Sequence, residues 1–157
     1  MKIRKLKKIH LIDPKYNSRL IVKFVNKFTK HGKKQKIYNI LYNVFKKLKR
    51  LFNFNMILFL KIFIKKNKPL VFSKNIMVQG KSFQIPKFLL EHQKEAKVLI
   101  WFINLIKFRK EKTTFLKILY EFINLFNSKK PALYFKDKNI EILKNIEKSK
   151  KYSHYRW

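Results

Sequence analysis

The imbalance between basic and acidic residues is the strongest constraint on how this chain can fold. Its 157 residues include 40 Lys and Arg against eight Asp and Glu, which gives a formal net charge of +32 at pH 7. A free chain with this charge repels itself, and such a charge is typical of proteins that bind a polyanion, with nucleic acid the first candidate. Hydrophobic residues still make up 46% of the chain. The charge must therefore lie on a folded scaffold, or on arms projecting from one.

The basic residues are almost all lysine, because arginine occurs only at Arg4, Arg19, Arg50, Arg109 and Arg156. Lysine binds phosphate as a flexible point charge, so affinity for a polyanion should depend on summed electrostatics. Phe, Ile, Asn, Lys and Tyr, which use A/T-rich codons, are abundant, whereas Gly and Ala are nearly absent. This bias indicates a gene from a very A/T-rich genome, such as that of an organelle or a parasite.

Several protein classes are excluded by the residues that the chain lacks. Without cysteine it can form no disulfide, thiolate zinc site or cysteine nucleophile. The carboxylates are scattered, whereas a metal-dependent nuclease would cluster them, and two glycines cannot build a phosphate-binding loop. Glu91, His92 and Glu95 could suggest a metal site, but acidic residues near the positive end of a helix explain them better. We therefore expect no enzyme activity, no metal and no cofactor.

The beginning of the chain shows neither a secretory signal nor the Arg- and Ser-rich composition of a cleavable organelle presequence. We expect residues 1–18 to form a basic arm that ends in a turn at Asp13-Pro14, where Asp13 can cap the element after the turn. Residues 19–157 are expected to form one helical domain with a β-ribbon at about 69–86.

Apolar residues recur at helical spacing in six segments. The predicted helices run from about Ser18 to His31 with Gly32 at the C′ position, from Ile37 to Leu51, from Met56 to Ile64, from about Lys94 to Lys107, from Thr113 or Thr114 to about Phe126, and from near Asp137 onward. The apolar runs 56–64 and 98–106 are too short to span a membrane, which needs about 20 apolar residues. We expect both runs to be buried.

Between Pro69 and Pro86 the apolar spacing changes from helical to alternating. Two alternating runs flank a turn at Gln79-Gly80-Lys81, a pattern that predicts a β-hairpin. A two-stranded ribbon is only marginally stable alone, so it must pack on helices or on a partner. The predicted fold class is mainly α, a six-helix bundle with a β-hairpin ribbon inserted between helices three and four.

Clusters of lysine recur along the whole chain, from Lys5-Lys7-Lys8 to Lys148-Lys150-Lys151. One such run is commonly a solvated helix end, but the acidic residues that would balance all of them are missing. A surface that is basic on several sides suits a folded RNA that surrounds the protein better than it suits a membrane, which presents a single plane.

The chain resembles the small-subunit ribosomal protein "S-seven" family over nearly everything after the N-terminal arm. The similar segments are Asp13-Pro14-Lys15-Tyr16, Lys23-Phe24-Val25-Asn26, Gly32-Lys33-Lys34, Tyr42, Val78, Gly80, Phe83-Gln84-Ile85-Pro86, Trp101 and the ending Lys151-Tyr152-Ser153-His154-Tyr155-Arg156-Trp157. That ending is the most specific of these motifs.

The resemblance implies a structural protein that binds the 3′ major (head) domain of small-subunit rRNA and nucleates assembly of the head. It also implies that the ribbon lies near the exit-site tRNA and the mRNA path, and that neighbouring small-subunit proteins are partners. We expect no membrane association and no homo-oligomer. Our interpretation of the localisation is the mitochondrion, with the plastid as the alternative. An RNA-maturation enzyme and a basic membrane-surface protein are the alternative functions.

Five positions at which the family usually carries arginine hold other residues here. They are Ile76 and Met77 in the first ribbon strand, Gln93 and Lys94 at the start of the fourth helix, and Ile100 beside Trp101. Either neighbouring lysines compensate for the lost arginines, or a protein has replaced the RNA at this surface.

Basic charge and the resemblance together give a set of predicted RNA-binding residues. This set comprises Lys2, Arg4, Lys5, Lys7, Lys8, Lys15, Lys33, Lys34, Lys36, Lys74, Lys81, Gln84, Lys94, Lys97, Arg109, Lys110, Tyr155, Arg156 and Trp157. For the aromatic residues Tyr155 and Trp157, packing on a sugar or base and anchoring of the tail on the protein core are both open.

Overall fold

The computed structural model describes residues 12–127 and 130–155, and for residues 78, 127, 130–133 and 153–155 it describes the backbone alone. The elements follow in the order α1 (Arg19–Phe28), α2 (Lys34–Phe52), α3 (Met56–Asn67), β1 (Val71–Val78), β2 (Lys81–Phe88), α4 (Glu91–Phe108), α5 (Thr114–Asn127) and α6 (Lys130–Ser149). A 3₁₀ helix (Lys150–Tyr155) continues directly from α6. Six helices with a hairpin between the third and the fourth confirm the predicted fold class.

Phe102 of α4 is the centre of the core. Its ring is fully buried, and its centroid lies 6.0 Å from that of Phe24 in α1, 5.6 Å from that of Phe63 in α3 and 5.2 Å from that of Phe122 in α5. Aromatic pairs of this kind contribute about 0.5–1.5 kcal/mol beyond the area that they bury. Because three other helices pack on one ring of α4, any surface built on the outside of α4 is held in a fixed position.

Each of the two apolar runs buries one helix face, but neither is buried throughout as predicted, since Leu58 and Ile62 of the first run and Ile100 of the second are exposed. Met56, Leu60 and Ile64 of α3 are buried at four-residue spacing, and the run from 98 to 106 supplies five buried residues of α4. Asn55 starts α3, since its side chain accepts the backbone N–H of Ile57 at 3.1 Å. Among the described residues, no helix has the length and apolar character needed to cross a bilayer.

The first helix is shorter than predicted. It ends at Phe28 rather than near His31, because the backbone turns to an extended conformation at Thr29, whose hydroxyl donates to the carbonyl of Val25 at 2.7 Å. Gly32 is therefore not the C′ residue of α1. It has a φ of 70° next to His31, at 52°, in the turn that leads into α2.

The last helix is longer than predicted, since it begins at Lys130 rather than near Asp137. Pro131 falls in its first turn, where the fixed φ and the missing N–H of proline cost nothing. Phe135 is fully buried, and its ring centroid lies 5.0 Å from that of Phe63. Burial of this aromatic residue in the core explains why the helix includes the segment before Asp137.

The strands β1 and β2 pair antiparallel from Val71 opposite Phe88 to Val78 opposite Lys81. The two loop residues, Gln79 and Gly80, have φ values of 49° and 76°, as a type I′ turn requires. Beyond α6 the 3₁₀ helix supports the ribbon, because the rings of Phe83 and Tyr152 lie 5.0 Å apart. The hairpin thus has the helical support that a two-stranded ribbon needs.

Asp13 fixes the entry of the chain into the bundle. Its side chain is 1% exposed, and it accepts the backbone N–H of Tyr16 at 2.8 Å and the hydroxyl of Tyr42 in α2. Burial, together with the bond to Asp13, raises the pKa of Tyr42, so the hydroxyl stays protonated and able to donate. Asp13 caps this turn rather than α1, whose N-cap residue is Ser18.

We expect Phe102→Ala to lower the free energy of unfolding by about 3–5 kcal/mol, because it removes the ring on which three helices pack. Phe108→Ala is the matched control: Phe108 lies on the same helix but is 83% exposed, so its loss should change stability by less than about 0.5 kcal/mol. Urea unfolding followed by circular dichroism measures both. Equal losses would contradict the central role of Phe102.

Candidate nucleic-acid interface

A concave surface between the ribbon and the outer face of α4 brings several predicted residues together. This surface, the ribbon groove, encloses about 750 Å³ and is lined by Lys74 of β1, Lys87 of β2 and Lys97 of α4. Gln84 and Asn75 add amide groups, and none of the described residues that line the groove is acidic. Cations flanked by hydrogen-bonding groups are what a nucleic-acid backbone requires of a protein surface.

Lys97 lies at the floor of the groove. Its Nζ is 3.5 Å from the centre of the Phe72 ring, a cation–π contact that favours the charged ammonium. Burial, and to a lesser extent the charge of Lys27, lowers the pKa of Lys97. A phosphate bound at this point would offset the cost of burying the ammonium.

Lys87 is part of the groove but absent from the predicted set. The signal that identifies it is the register of the hairpin, because a two-residue loop at Gln79-Gly80 places Lys87 directly opposite Phe72. Assigning the turn type from the sequence would have been enough to place this lysine beside the groove floor.

Two of the five positions where family arginines are replaced, Gln93 and Ile100, also line the groove. Lys97 lies between them in the sequence of α4 and supplies a cation to the same surface. Met77, near the ribbon tip, is 76% exposed and lies outside the groove. The groove therefore has a lysine of α4 between two of the positions at which the resemblance predicts arginine in the family.

Lys33, Lys34 and Lys36 lie on a second basic surface, around the turn between α1 and α2, and all three are exposed. Lys33 and Lys36 line a cavity of about 500 Å³, together with residues at the end of α4 and the start of α5. This second cavity is called the loop cavity. The structure thus places some of the predicted residues on two separate surfaces.

Most carboxylates are bound by other groups of the same protein. Six of the eight accept hydrogen bonds or form ion pairs among the described residues: Asp13, Glu91, Glu95, Glu111, Glu121 and Glu141. Glu95 contacts Lys23 of α1 and lies 3.5 Å from Lys68, which precedes β1. Acidic residues therefore join secondary-structure elements, and they leave both cavities lined by cations.

Two predicted RNA-binding residues are bound to carboxylates of the protein itself. Arg109 donates to Glu111 at 3.0 Å and to Glu121 at 2.7 Å, which joins the end of α4 to α5. Lys94 donates to Glu91 at 2.8 Å. An RNA contact by either residue stays a prediction, and it would have to share the cation with a carboxylate of the protein.

The other predicted residues are separate from both cavities. Lys15 is exposed with its Nζ 4.8 Å from the centre of the Tyr42 ring, Lys81 is exposed at the ribbon turn, and Lys110 is exposed after α4. Of Tyr155 only the backbone is described. The predicted residues outside the described part of the chain are Lys2, Arg4, Lys5, Lys7, Lys8, Arg156 and Trp157.

The carboxylates on either side of His92 contact lysines. Glu91 lies in the first turn of α4, and both Glu91 and Glu95 contact Lys68. Within residues 12–127 and 130–155, no three His, Asp or Glu side chains are grouped as ligands for a metal ion.

Comparison with known proteins identifies one family. The family model described as "Ribosomal protein S7p/S5e" matches residues 1–141. The aromatic and basic ending of the chain lies beyond this match, so its resemblance to the family signature stays a prediction.

Curated relatives match along nearly the whole chain. The "Small ribosomal subunit protein uS7" of Wigglesworthia glossinidia brevipalpis is 29% identical over 94% of this chain and 92% of its own length. The protein of the same name from Metamycoplasma arthritidis is 31% identical, also over 94% of this chain and 92% of its own length. The "Small ribosomal subunit protein uS7m" of Reclinomonas americana is 28% identical over 94% of this chain and 91% of its own length.

The contacts of Glu91 predict how its carboxylate titrates. Hydrogen bonds from Lys68 and then from Lys94 lower the pKa of Glu91 from 4.5 to about 2. Because the folded-state pKa is depressed, the stability from these contacts is present above pH 4.5 and is lost as the pH falls towards 2. Lys68→Met removes the larger cause, so the pKa of Glu91 should rise towards 4.5. Carbon-detected NMR titration measures the pKa of Glu91 in Lys68→Met and in the control Lys65→Met. An unchanged pKa in Lys68→Met would contradict the contact between Lys68 and Glu91.

Proposed function

The chain belongs to the ribosomal protein S7p/S5e family and is a structural component of the small ribosomal subunit, not an enzyme; on this premise we propose that it binds the 3′ major (head) domain of small-subunit rRNA. We further propose that it nucleates assembly of the head and directs its ribbon towards the exit-site tRNA and the mRNA path. Neighbouring small-subunit proteins complete its set of partners.

The observation that carries the RNA-binding proposal is the ribbon groove. Lys74, Lys87 and Lys97 come from three different elements and face one cavity that no described acidic residue lines. Like-charged side chains around one cavity repel one another in the free protein, and a polyanion relieves that repulsion. The groove is therefore a surface whose charges are best satisfied by a nucleic-acid backbone.

Binding at the groove is electrostatic and depends on shape. Each lysine that neutralises a phosphate releases a condensed counterion, so the affinity falls steeply with salt. The amides of Asn75, Gln84 and Gln93 can hydrogen-bond phosphate oxygens or the ribose 2′-hydroxyl, a group that distinguishes RNA from DNA. The lysines near Gln93 and Ile100 support the interpretation in which neighbouring lysines compensate for the lost arginines. They do not favour the alternative, in which a protein has replaced the RNA at this surface.

The ribbon supplies the second part of the proposal. Its two-residue turn makes a narrow tip, where Lys81 and Met77 are exposed. A tip with one cation and one flexible apolar side chain can contact RNA and protein alike, which suits a position between tRNA, mRNA and a neighbouring protein.

A mitochondrial small subunit is the proposed location. The abundance of residues that use A/T-rich codons and the similarity to the protein named uS7m support it. Separation of organelles, followed by immunoblotting of their small subunits, should recover the protein from mitochondria. Recovery from plastids, or from bacterial-type cytoplasm, would contradict this location without affecting the ribosomal role.

The double variant Lys74→Gln/Lys87→Gln should weaken binding to the rRNA head domain and make the plot of log affinity against log salt shallower. Two lost phosphate contacts reduce the slope by about 1.4–1.8. The control Lys136→Gln/Lys144→Gln removes the same charge from exposed positions of α6 and should keep the wild-type slope. Fluorescence anisotropy over a range of KCl concentrations measures both; equal slopes for the two double variants would contradict a phosphate site in the groove.

In sucrose gradients at moderate salt, the native protein should sediment with small subunits. This distribution separates a ribosomal component from a protein that binds membranes or free RNA. Recovery in the soluble pool at the top of the gradient would refute assembly into the subunit.

A further inference from the structure

The loop cavity combines cations with an apolar floor, and the ribbon groove also has apolar lining residues, among them Phe72, Leu89 and Ile100. The floor is formed by Phe28, Ile37, Ile40 and Ile106. Phe28 is 8% exposed and stacks on Phe24, Ile106 is fully buried, and the other two isoleucines are half-buried. A phosphate backbone alone does not account for this floor, because an ion is poorly solvated against aliphatic side chains.

The rim of the loop cavity carries six lysines and, among the described residues, no acidic group; His31 and Thr114 are its other polar residues. Lys30, Lys33 and Lys36 lie around the start of α2, Lys107 in the last turn of α4, and Lys112 and Lys117 around the start of α5. Glu111 interacts electrostatically with Lys117, but it does not line the cavity and is bound by Arg109 at 3.0 Å.

The cavity has helix ends of both kinds around it, since the ends of α1 and α4 meet the first turns of α2 and α5 there. The first turn of a helix carries a partial positive charge and the last turn a partial negative one, so the attraction for an anion rests on the lysines. The turn at His31-Gly32, with two positive φ values, carries Lys30 and Lys33 on either side of it.

We propose that the loop cavity takes one unpaired nucleotide of RNA, with its base on the apolar floor and its flanking phosphates on the lysine rim. This inference rests on the RNA-binding function proposed above. A cavity of about 500 Å³ is within the range of about 300–1,000 Å³ usual for small-molecule sites. Unpaired, unstacked bases are the parts of RNA that proteins read by contact with the base faces.

Other occupants fit the cavity less well. A paired RNA helix can bring phosphates to the rim, but its bases are stacked and cannot reach Ile37 or Ile40. An acidic side chain of a protein would pair with a lysine, but its carboxylate would lie against an aliphatic floor that cannot solvate it. A nucleotide supplies both an apolar surface and a negative charge, in the arrangement that floor and rim present.

Site-specific photo-cross-linking tests the proposal directly. A diazirine amino acid replaces Ile37 in the full chain, which is then bound to full-length small-subunit rRNA from the same ribosome and irradiated. Primer extension should stop at one unpaired nucleotide. The matched control carries the diazirine in place of Ile140, which is 48% exposed on α6, and it should give no stop at that nucleotide.

Removal of the cross-linked base measures its contribution to binding. An abasic substitution at that nucleotide should weaken binding by wild-type protein about tenfold. In Ile37→Ser the same abasic substitution should cost less than about twofold, whereas in Ile140→Ser the cost should stay about tenfold. Circular dichroism shows whether each variant keeps its helices.

The outcomes separate this inference from the function on which it rests. Cross-links confined to paired helices or to another protein, or an abasic substitution that leaves the affinity unchanged, would overturn the nucleotide site while rRNA binding remains. Absence of any rRNA binding by the wild-type protein would refute the proposed function, and the nucleotide site with it.

Discussion

The fold depends on a few carboxylates that hold together a chain with 40 basic residues. Glu95 joins α1 to the segment before the ribbon through Lys23 and Lys68, and Glu121 joins α4 to α5 through Arg109. Burying charged groups has a desolvation cost, but each contact also reduces repulsion between elements that must pack around Phe102. Because these carboxylates are paired with lysine and arginine within the protein, they leave the ribbon groove and the loop cavity without acidic residues among those described.

Much of the fold can be predicted from local patterns, and the errors lie where tertiary packing overrides them. The start of α5 is predictable from Thr113, whose hydroxyl accepts the backbone N–H of Leu116 at 3.3 Å. Gly32 and Asp137 are equally good local signals, yet neither marks the helix end assigned to it. Burial of Phe135, a contact between segments far apart in the sequence, decides where α6 begins, and no local window contains that information.

The candidate interface is predictable to different degrees on its two surfaces. Lys74 and Lys97 can be assigned from charge and from the family resemblance, and Lys87 from the hairpin register. The loop cavity joins two turns that are distant in the sequence, so Lys107 and Lys112 can be assigned to it only once α1, α2, α4 and α5 are packed. The two surfaces also differ in their polar groups: the groove combines lysines with the amides of Asn75, Gln84 and Gln93, whereas the cavity has six lysines, His31 and Thr114.

The contact between Phe83 and Tyr152 has a consequence for the order in which the protein matures. The hairpin is synthesised well before α6 and the 3₁₀ helix after it. Its tight turn favours local pairing, but a two-stranded ribbon is only marginally stable alone, so its support is complete only after Tyr152 has been synthesised. One wall of the groove is therefore completed late, and a nascent chain that ends within α6 carries the hairpin without its support from Tyr152.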